Sequence, residues 1–149
     1  MAEQATERTT IGAPPDLVYA TALDIERYPE WAQDIKEATV VERDDEGRPL
    51  RVRFRAAAMG HSARYVLAYD HSEAPRVLSW VLEQGDIVRT LDGEYQFEPT
   101  ADGGTEVTYH LVAELAVPLP GFIKRRAESK IMTVALEELR HRCEDASVR

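Results

Sequence analysis

The 149-residue sequence predicts an α+β fold, a curved antiparallel sheet of about seven strands wrapped around one long C-terminal helix in the order β-α-α-β6-α. Three observations carry the prediction. From Pro120 to about Asp145 the apolar residues form two neighbouring rows, Ile123, Ala127, Ile131, Val134 and Met132, Leu136, Leu139, Cys143, each at the i, i+3/i+4 spacing of a helix. From Ile35 to Ala116 the apolar residues instead recur at every second position. The turns between those segments are short and polar, which dictates antiparallel neighbours. A helical stripe two rows wide needs a broad surface to cover it, and six consecutive strands supply one.

Taken in order, Arg8 to Ile11 predicts a short first strand, ended by Gly12 and Pro14-Pro15. Residues 1–6 and 146–149 are expected as disordered tails of a single domain spanning 1–149. The prolines suit a first helical turn, Asp16 complements the helix dipole, and Leu17, Val18, Thr21, Ala22 and Ile25 keep helical spacing to about Asp24 or Ile25. Pro29 disfavours helix at Tyr28 and opens a second short helix through Trp31 to Asp34.

Ile35 to Glu42 then predicts a strand, and Asp44 to Pro49 a polar turn. Leu50, Val52, Phe54, Ala56 and Ala58 alternate with Arg51, Arg53 and Arg55, the pattern of a strand with one wet face. After Gly60, His61, Ala63, Tyr65, Leu67 and Tyr69 share a phase opposite Ser62 and Arg64. Val77 to Glu83 places Leu78, Trp80 and Leu82 in phase, and Ile87 to about Glu98 places Tyr95 with Phe97. Gly93 marks a bulge or a close backbone approach within that strand. Ala101-Asp102-Gly103-Gly104 is a hairpin signal, and Thr105 to Ala116 closes the series with Val107, Tyr109, Leu111 and Ala113 in phase. Pro118, Pro120 and Gly121 stop that strand and begin the last helix.

Composition narrows the function. Eighteen Lys and Arg against 27 Asp and Glu give a formal charge of −9, which argues against nucleic-acid binding, where affinity comes from cations on phosphates. The first ten residues lack the apolar core of a signal peptide, and no stretch approaches the ~18 apolar residues needed to cross a bilayer. A cytoplasmic protein is expected. Cys143, the single cysteine, excludes an intramolecular disulfide and a multi-cysteine metal site, and its place in the apolar row predicts a small core residue. No metal-ligand spacing, nucleotide-binding glycine motif or Ser-His-Asp pattern occurs, so neither metal nor cofactor is expected.

At this point the chain resembles the START-like, helix-grip superfamily, and within it bacterial polyketide cyclase/dehydrase-type and coenzyme Q-binding proteins. The residues that carry the resemblance are Ala13 to Tyr19, Asp24 to Trp31, Leu78-Ser79-Trp80, Leu91 to Phe97, Gly104 to Tyr109 and the Pro118-Leu119-Pro120 approach to the last helix. It covers nearly the whole chain and specifies a fold rather than a reaction. What it implies is a cavity between sheet and long helix for a hydrophobic or aromatic small molecule, polyketide-, isoprenoid- or lipid-like, in a monomer or homodimer.

On that frame, Phe54, Tyr65, Trp80, Tyr95, Phe97 and Tyr109 are candidates for lining a cavity, with core packing as the alternative for each. The tyrosines favour a pocket, because buried hydroxyls need partners and orient polar ligand groups. Phe122 and Met132 on the last helix are candidates for the opposite wall, and Trp31, with Tyr28, for the mouth. Two titratable residues share the concave phase: His61, suited to proton transfer near neutral pH, and Arg89, suited to polarising a carbonyl unless a bulge turns it outward. Arg51, Arg53, Arg55 and Arg64 form a basic patch on the convex face, expected to pair with neighbouring carboxylates. The leading reading is a binding module. The rival is an aromatase/cyclase-dehydratase guiding a poly-β-ketone chain, and a third, ribosome-associated role follows from relatives of the same fold.

Overall fold

The computed structural model describes residues 3–58, 60–116 and 120–148, apart from the side chains of Glu3, Ala58, Lys124, Ala127, Glu128, Met132, Ser147 and Val148. Pro118 and Leu119, part of the expected approach to the last helix, lie outside the described residues. The elements are β1 (Glu3–Ile11), α1 (Pro15–Leu23), a 3₁₀ helix (Ile25–Glu30), β2 (Ile35–Arg43), β3 (Pro49–Ala58), β4 (His61–Asp70), β5 (Val77–Gly85), β6 (Val88–Pro99), β7 (Thr105–Leu115) and α2 (Gly121–Val148). The seven strands form one antiparallel sheet in the order β1-β7-β6-β5-β4-β3-β2, curved around α2 as a helix-grip fold.

Two boundaries depart from the sequence reading. β1 begins at Glu3, where residues 1–6 were expected as a tail, and it pairs in register with β7 from Glu3↔Ala113 to Ile11↔Thr105. Its early residues are mostly polar because it is an edge strand. Ladder hydrogen bonds order it, and periodicity gives little sign of it. The short helix after α1 lies before Trp31 and contains Pro29, rather than opening at Pro29. The Tyr28 carbonyl ends it by accepting from Trp31 N at 3.1 Å and Ala32 N at 2.7 Å, and buried Ile25 anchors it.

Curvature comes from interruptions of the ladder. Register shifts occur in β2, between β4 and β5 at Val66/Leu67, and between β6 and β7 at Val88/Thr90, and each extra residue bends its strand. Gly93 is a close approach and not a bulge, since β6 stays in register with β7 from Thr90 to Pro99. A Cβ at Gly93 would lie 2.7 Å from the His110 carbonyl oxygen, 2.8 Å from Leu111 Cδ1 and 2.9 Å from Trp80 Cζ2. Trp80 is the cross-strand partner of Gly93, so the glycine makes room for the indole.

The concave face carries the core, including Phe54, Leu67, Leu78, Trp80, Tyr95, Phe97, Tyr109 and Leu111. Helix α2 closes it unevenly. Leu136, Leu139 and Cys143 are buried, and three polar contacts tie the same half of the helix to the connection between β1 and β2. Gly12 N donates to Glu144 at 2.9 Å, Gln33 N donates to Glu138 at 3.0 Å, and Arg142 pairs with Glu30 at 2.8 Å. Among the described residues no such tie is made by the first turns of α2, and Phe122 is 64% exposed. On the convex face Arg51 pairs with Glu83 at 2.5 Å and Arg55 with Glu37 at 3.0 Å, as expected of the basic patch. No helix of the described residues is long and apolar enough to cross a membrane.

Two stability measurements test this packing. Gly93→Ala overpacks the sheet under Trp80, so it should cost about 1–3 kcal/mol and lower the thermal midpoint by several degrees; an unchanged midpoint would contradict the close approach. Leu139→Ala should cost about 2–5 kcal/mol in urea unfolding, whereas Phe122→Ala should stay within about 0.5 kcal/mol.

Candidate functional site

Between the concave sheet and the middle of α2 lies a cavity of about 240 Å³. Its floor comes from alternate residues of four strands: Tyr65, Leu67 and Tyr69 of β4, Trp80 of β5, Tyr95 of β6, and Tyr109 and Leu111 of β7. Its lid is one face of α2, where Ile131, Val134, Ala135 and Glu138 follow at i, i+3, i+4 and i+7. Tyr28, Trp31 and Ala32, from the connection between β1 and β2, and Ile35, which opens β2, form one side.

The rings form a nearly continuous surface. Tyr28 lies 5.0 Å from Trp31 and 6.4 Å from Phe54, and Phe54 stacks on Tyr65 at 5.2 Å and 20°. Tyr69 lies 5.8 Å from Trp80, Trp80 5.4 Å from Tyr95, and Tyr95 4.7 Å from Tyr109. Three of these six contacts are direct cross-strand pairs, Phe54↔Tyr65, Tyr69↔Trp80 and Tyr95↔Tyr109. Their contact follows from strand register alone.

The polar groups divide into two sets. Tyr28 donates its hydroxyl to the Ala22 carbonyl, which fixes the short helix against α1. The hydroxyls of Tyr65, Tyr69, Tyr95 and Tyr109 have no hydrogen-bond partner among the described residues. Burial raises the pKa of each of these phenols; other phenols add to the shift at Tyr69 and Tyr109, and Cys143 and Glu138 add to it at Tyr95. At neutral pH all four keep their protons and act as donors, not bases. The charged and imidazole side chains on the lining are Asp34, His61, Lys130 and Glu138, and the first three are exposed. Glu138 is half-buried and already accepts from Gln33 N.

Of the expected site residues, Trp31, Phe54, Tyr65, Trp80, Tyr95, Tyr109 and His61 line the cavity. Three do not. Phe97 is buried beyond Tyr95, edge-on to Tyr19 at 5.9 Å, and fills core. Phe122 points to solvent because it sits ahead of the turns of α2 that cover the sheet. Arg89 is exposed: the ladder irregularity lies between Val88 and Thr90, so Arg89 is the extra residue and leaves the concave phase. The side chain of Met132 lies outside the described residues. Tyr69 and Glu138 were not singled out, though both carry a signal, Tyr69 in its shared phase with Tyr65 and Glu138 as an acid on the apolar face of α2. Among the described residues no cluster of three His, Cys, Asp or Glu side chains could hold a metal ion.

Comparison with known proteins agrees with this architecture. A START superfamily protein from Mycobacterium smegmatis superposes with a TM-score of 0.86 at 22% identity, covering 96% of this chain and 98% of its own. A protein from Thermus thermophilus superposes at 0.81 with 27% identity, covering 97% and 99%. The ZhuI aromatase/cyclase from Streptomyces sp. R1128 superposes at 0.79 with 17% identity, covering 100% and 97%. No curated protein matches the sequence. Residues 2–144 match the family model described as polyketide cyclase / dehydrase and lipid transport, and the chain belongs to that family.

Proposed function

We propose that this protein binds a hydrophobic or aromatic small molecule in the cavity between sheet and C-terminal helix, without transforming it. The observation that carries the proposal is the make-up of the lining: rings and aliphatic side chains make the floor, Asp34, His61 and Lys130 are exposed, and Glu138 is half-buried on the helix side. A floor of that kind strips water from an apolar ligand and offers no buried base, nucleophile or metal among the described residues. One observation favours a second reading, guided ring closure of a poly-β-ketone chain. His61 lines the same cavity as the four phenols, an imidazole together with proton donors. That reading asks for His61 or Arg89 in the cavity; His61 lines it while Arg89 faces solvent, and with one exposed imidazole as its support we favour binding.

The chain carries its own reporter, since both of its tryptophans, Trp31 and Trp80, line the cavity. Titration with naphthalene or decanoate should change tryptophan emission, and a ligand at a hundred times its Kd should raise the melting midpoint by roughly 5–10 °C. Ala135→Phe fills the cavity from α2 and should abolish both effects while the free protein still melts cooperatively. If neither probe shifts emission or melting in the unaltered protein, the binding reading is wrong.

Alkaline titration gives an independent check. In the unfolded chain a phenol ionises near pH 10, whereas burial in the fold keeps it neutral. Each folded-state pKa is raised, so the stability it contributes is fully present below about pH 10 and is lost as pH rises beyond it, by up to about 1.4 kcal/mol per pH unit for each phenol. Tyr109→Phe should flatten that decline, and an unaltered alkaline profile would show that the phenol is hydrated.

A further inference from the structure

We infer that the molecule docks on an anionic lipid bilayer through the start of α2, with its cations on the headgroups and Phe122 set among them. The contact lies outside the cavity and does not depend on what the cavity holds.

Charge is the first observation. In sequence, residues 121–131 carry Lys124, Arg125, Arg126 and Lys130 against Glu128, a net +3, whereas the whole chain carries −9, which leaves −12 for the remainder. Elsewhere arginines are matched: Arg27, Arg43, Arg48, Arg51, Arg55 and Arg142 each pair with a carboxylate. Arg125, Arg126 and Lys130 are exposed and make no ion pair with a described residue. Their countercharge therefore comes from outside the chain.

Geometry is the second. Phe122, Arg125, Arg126 and Ser129 stand at i, i+3, i+4 and i+7, one face of α2, and all four are exposed. At 64%, Phe122 is the most exposed large apolar side chain among the described residues. Ile131, on the opposite face, lines the cavity, as does Lys130. At this end of the sheet the lining also includes His61, which begins β4, Val88, which begins β6, and Leu115, which ends β7. Arg89, beside Val88, is exposed and likewise makes no ion pair with a described residue, so the residue that the ladder irregularity turns outward adds a cation to the same end. Asp86, the exposed carboxylate of the turn before it, already accepts from the Arg64 and Ile87 amides.

This combination fits a bilayer better than a protein partner. A face two turns long falls short of the roughly 800 Å² per partner that a stable protein interface buries. A bilayer needs no such area, because each cation near an anionic surface strengthens partitioning by about fivefold and an aromatic ring settles at the headgroup level. Screening also fixes the orientation. At physiological salt, charges more than about 8 Å from the surface are largely unfelt, so the acidic remainder does not cancel the attraction of the end that touches.

The test is co-sedimentation with vesicles of phosphatidylcholine alone and of phosphatidylcholine with about a third phosphatidylglycerol, at low and high salt, with melting curves confirming the fold of each variant. The unaltered protein should partition at least tenfold more strongly onto the acidic vesicles, and high salt should remove most of that difference. The double variant Arg125→Glu/Arg126→Glu should lose at least tenfold in partitioning. Phe122→Ala should lose at least threefold while keeping the salt dependence. Should the double variant fail to fold, Arg126→Glu alone should lose at least threefold. Naphthalene binding in solution should be the same in all variants, since none of these residues lines the cavity. Absence of binding to the acidic vesicles, equal binding to both kinds, or partitioning unchanged by the charge reversals overturns this inference and leaves the cavity a binding site. Failure of the unaltered protein to bind naphthalene and decanoate counts against the proposed function alone.

Discussion

Leu136, Leu139 and Cys143 press the second half of α2 against β1, β7 and α1, and this contact is the constraint from which the rest of the architecture follows. A 28-residue helix is about 42 Å long at 1.5 Å per residue, longer than one strand of this sheet, so it cannot be held equally along its length. The seven strands curve away from its middle, and the space between is the cavity. The polar ties made by Glu138, Arg142 and Glu144 all lie in the same second half. Buried contacts and polar ties are concentrated at one end of the helix, and the cavity is the gap left beside that anchor.

The same division governs the electrostatics. Carboxylates, imidazole and ammonium groups sit where water reaches them, and the floor keeps only hydroxyls. Placing an ionised group among those rings would require several partners, and the fold has none to offer there. Phenols avoid that cost because they are polar enough to orient a guest and neutral enough to stay buried. The convex face carries the opposite solution, with arginine–glutamate pairs in water, Arg55–Glu37 between neighbouring strands and Arg51–Glu83 reaching across β4, each worth about 0–1 kcal/mol.

Much of this was legible in the sequence because period-two alternation and cross-strand pairing are local rules. The alternation of Leu50 to Ala58 with its three arginines, and of His61 to Tyr69, specified which side chains share a face, and the structure brings Phe54, Tyr65, Trp80, Tyr95 and Tyr109 together. What was not legible depends on ladder irregularities and on ends. Nothing in Val88-Arg89-Thr90 marks a register shift, yet that shift turns Arg89 from the cavity to solvent. The polar first half of β1 is a strand only because β7 is beside it. Phe122 and Phe97 belong to correctly located elements, but how far along an element the cavity extends is set by curvature, which sequence phase does not encode. Cys143, by contrast, needed only its place in a helical row to be read as core.

Gly93 lines no part of the cavity, yet it lies opposite Trp80 in the ladder and within van der Waals reach of its ring. The absent side chain lets the indole settle toward the backbone instead of standing up into the ligand space. Residue 93 therefore sets the depth of the cavity from beneath it. The volume enclosed by this sheet is set in part at a position outside the lining, through the sheet and not through the cavity wall.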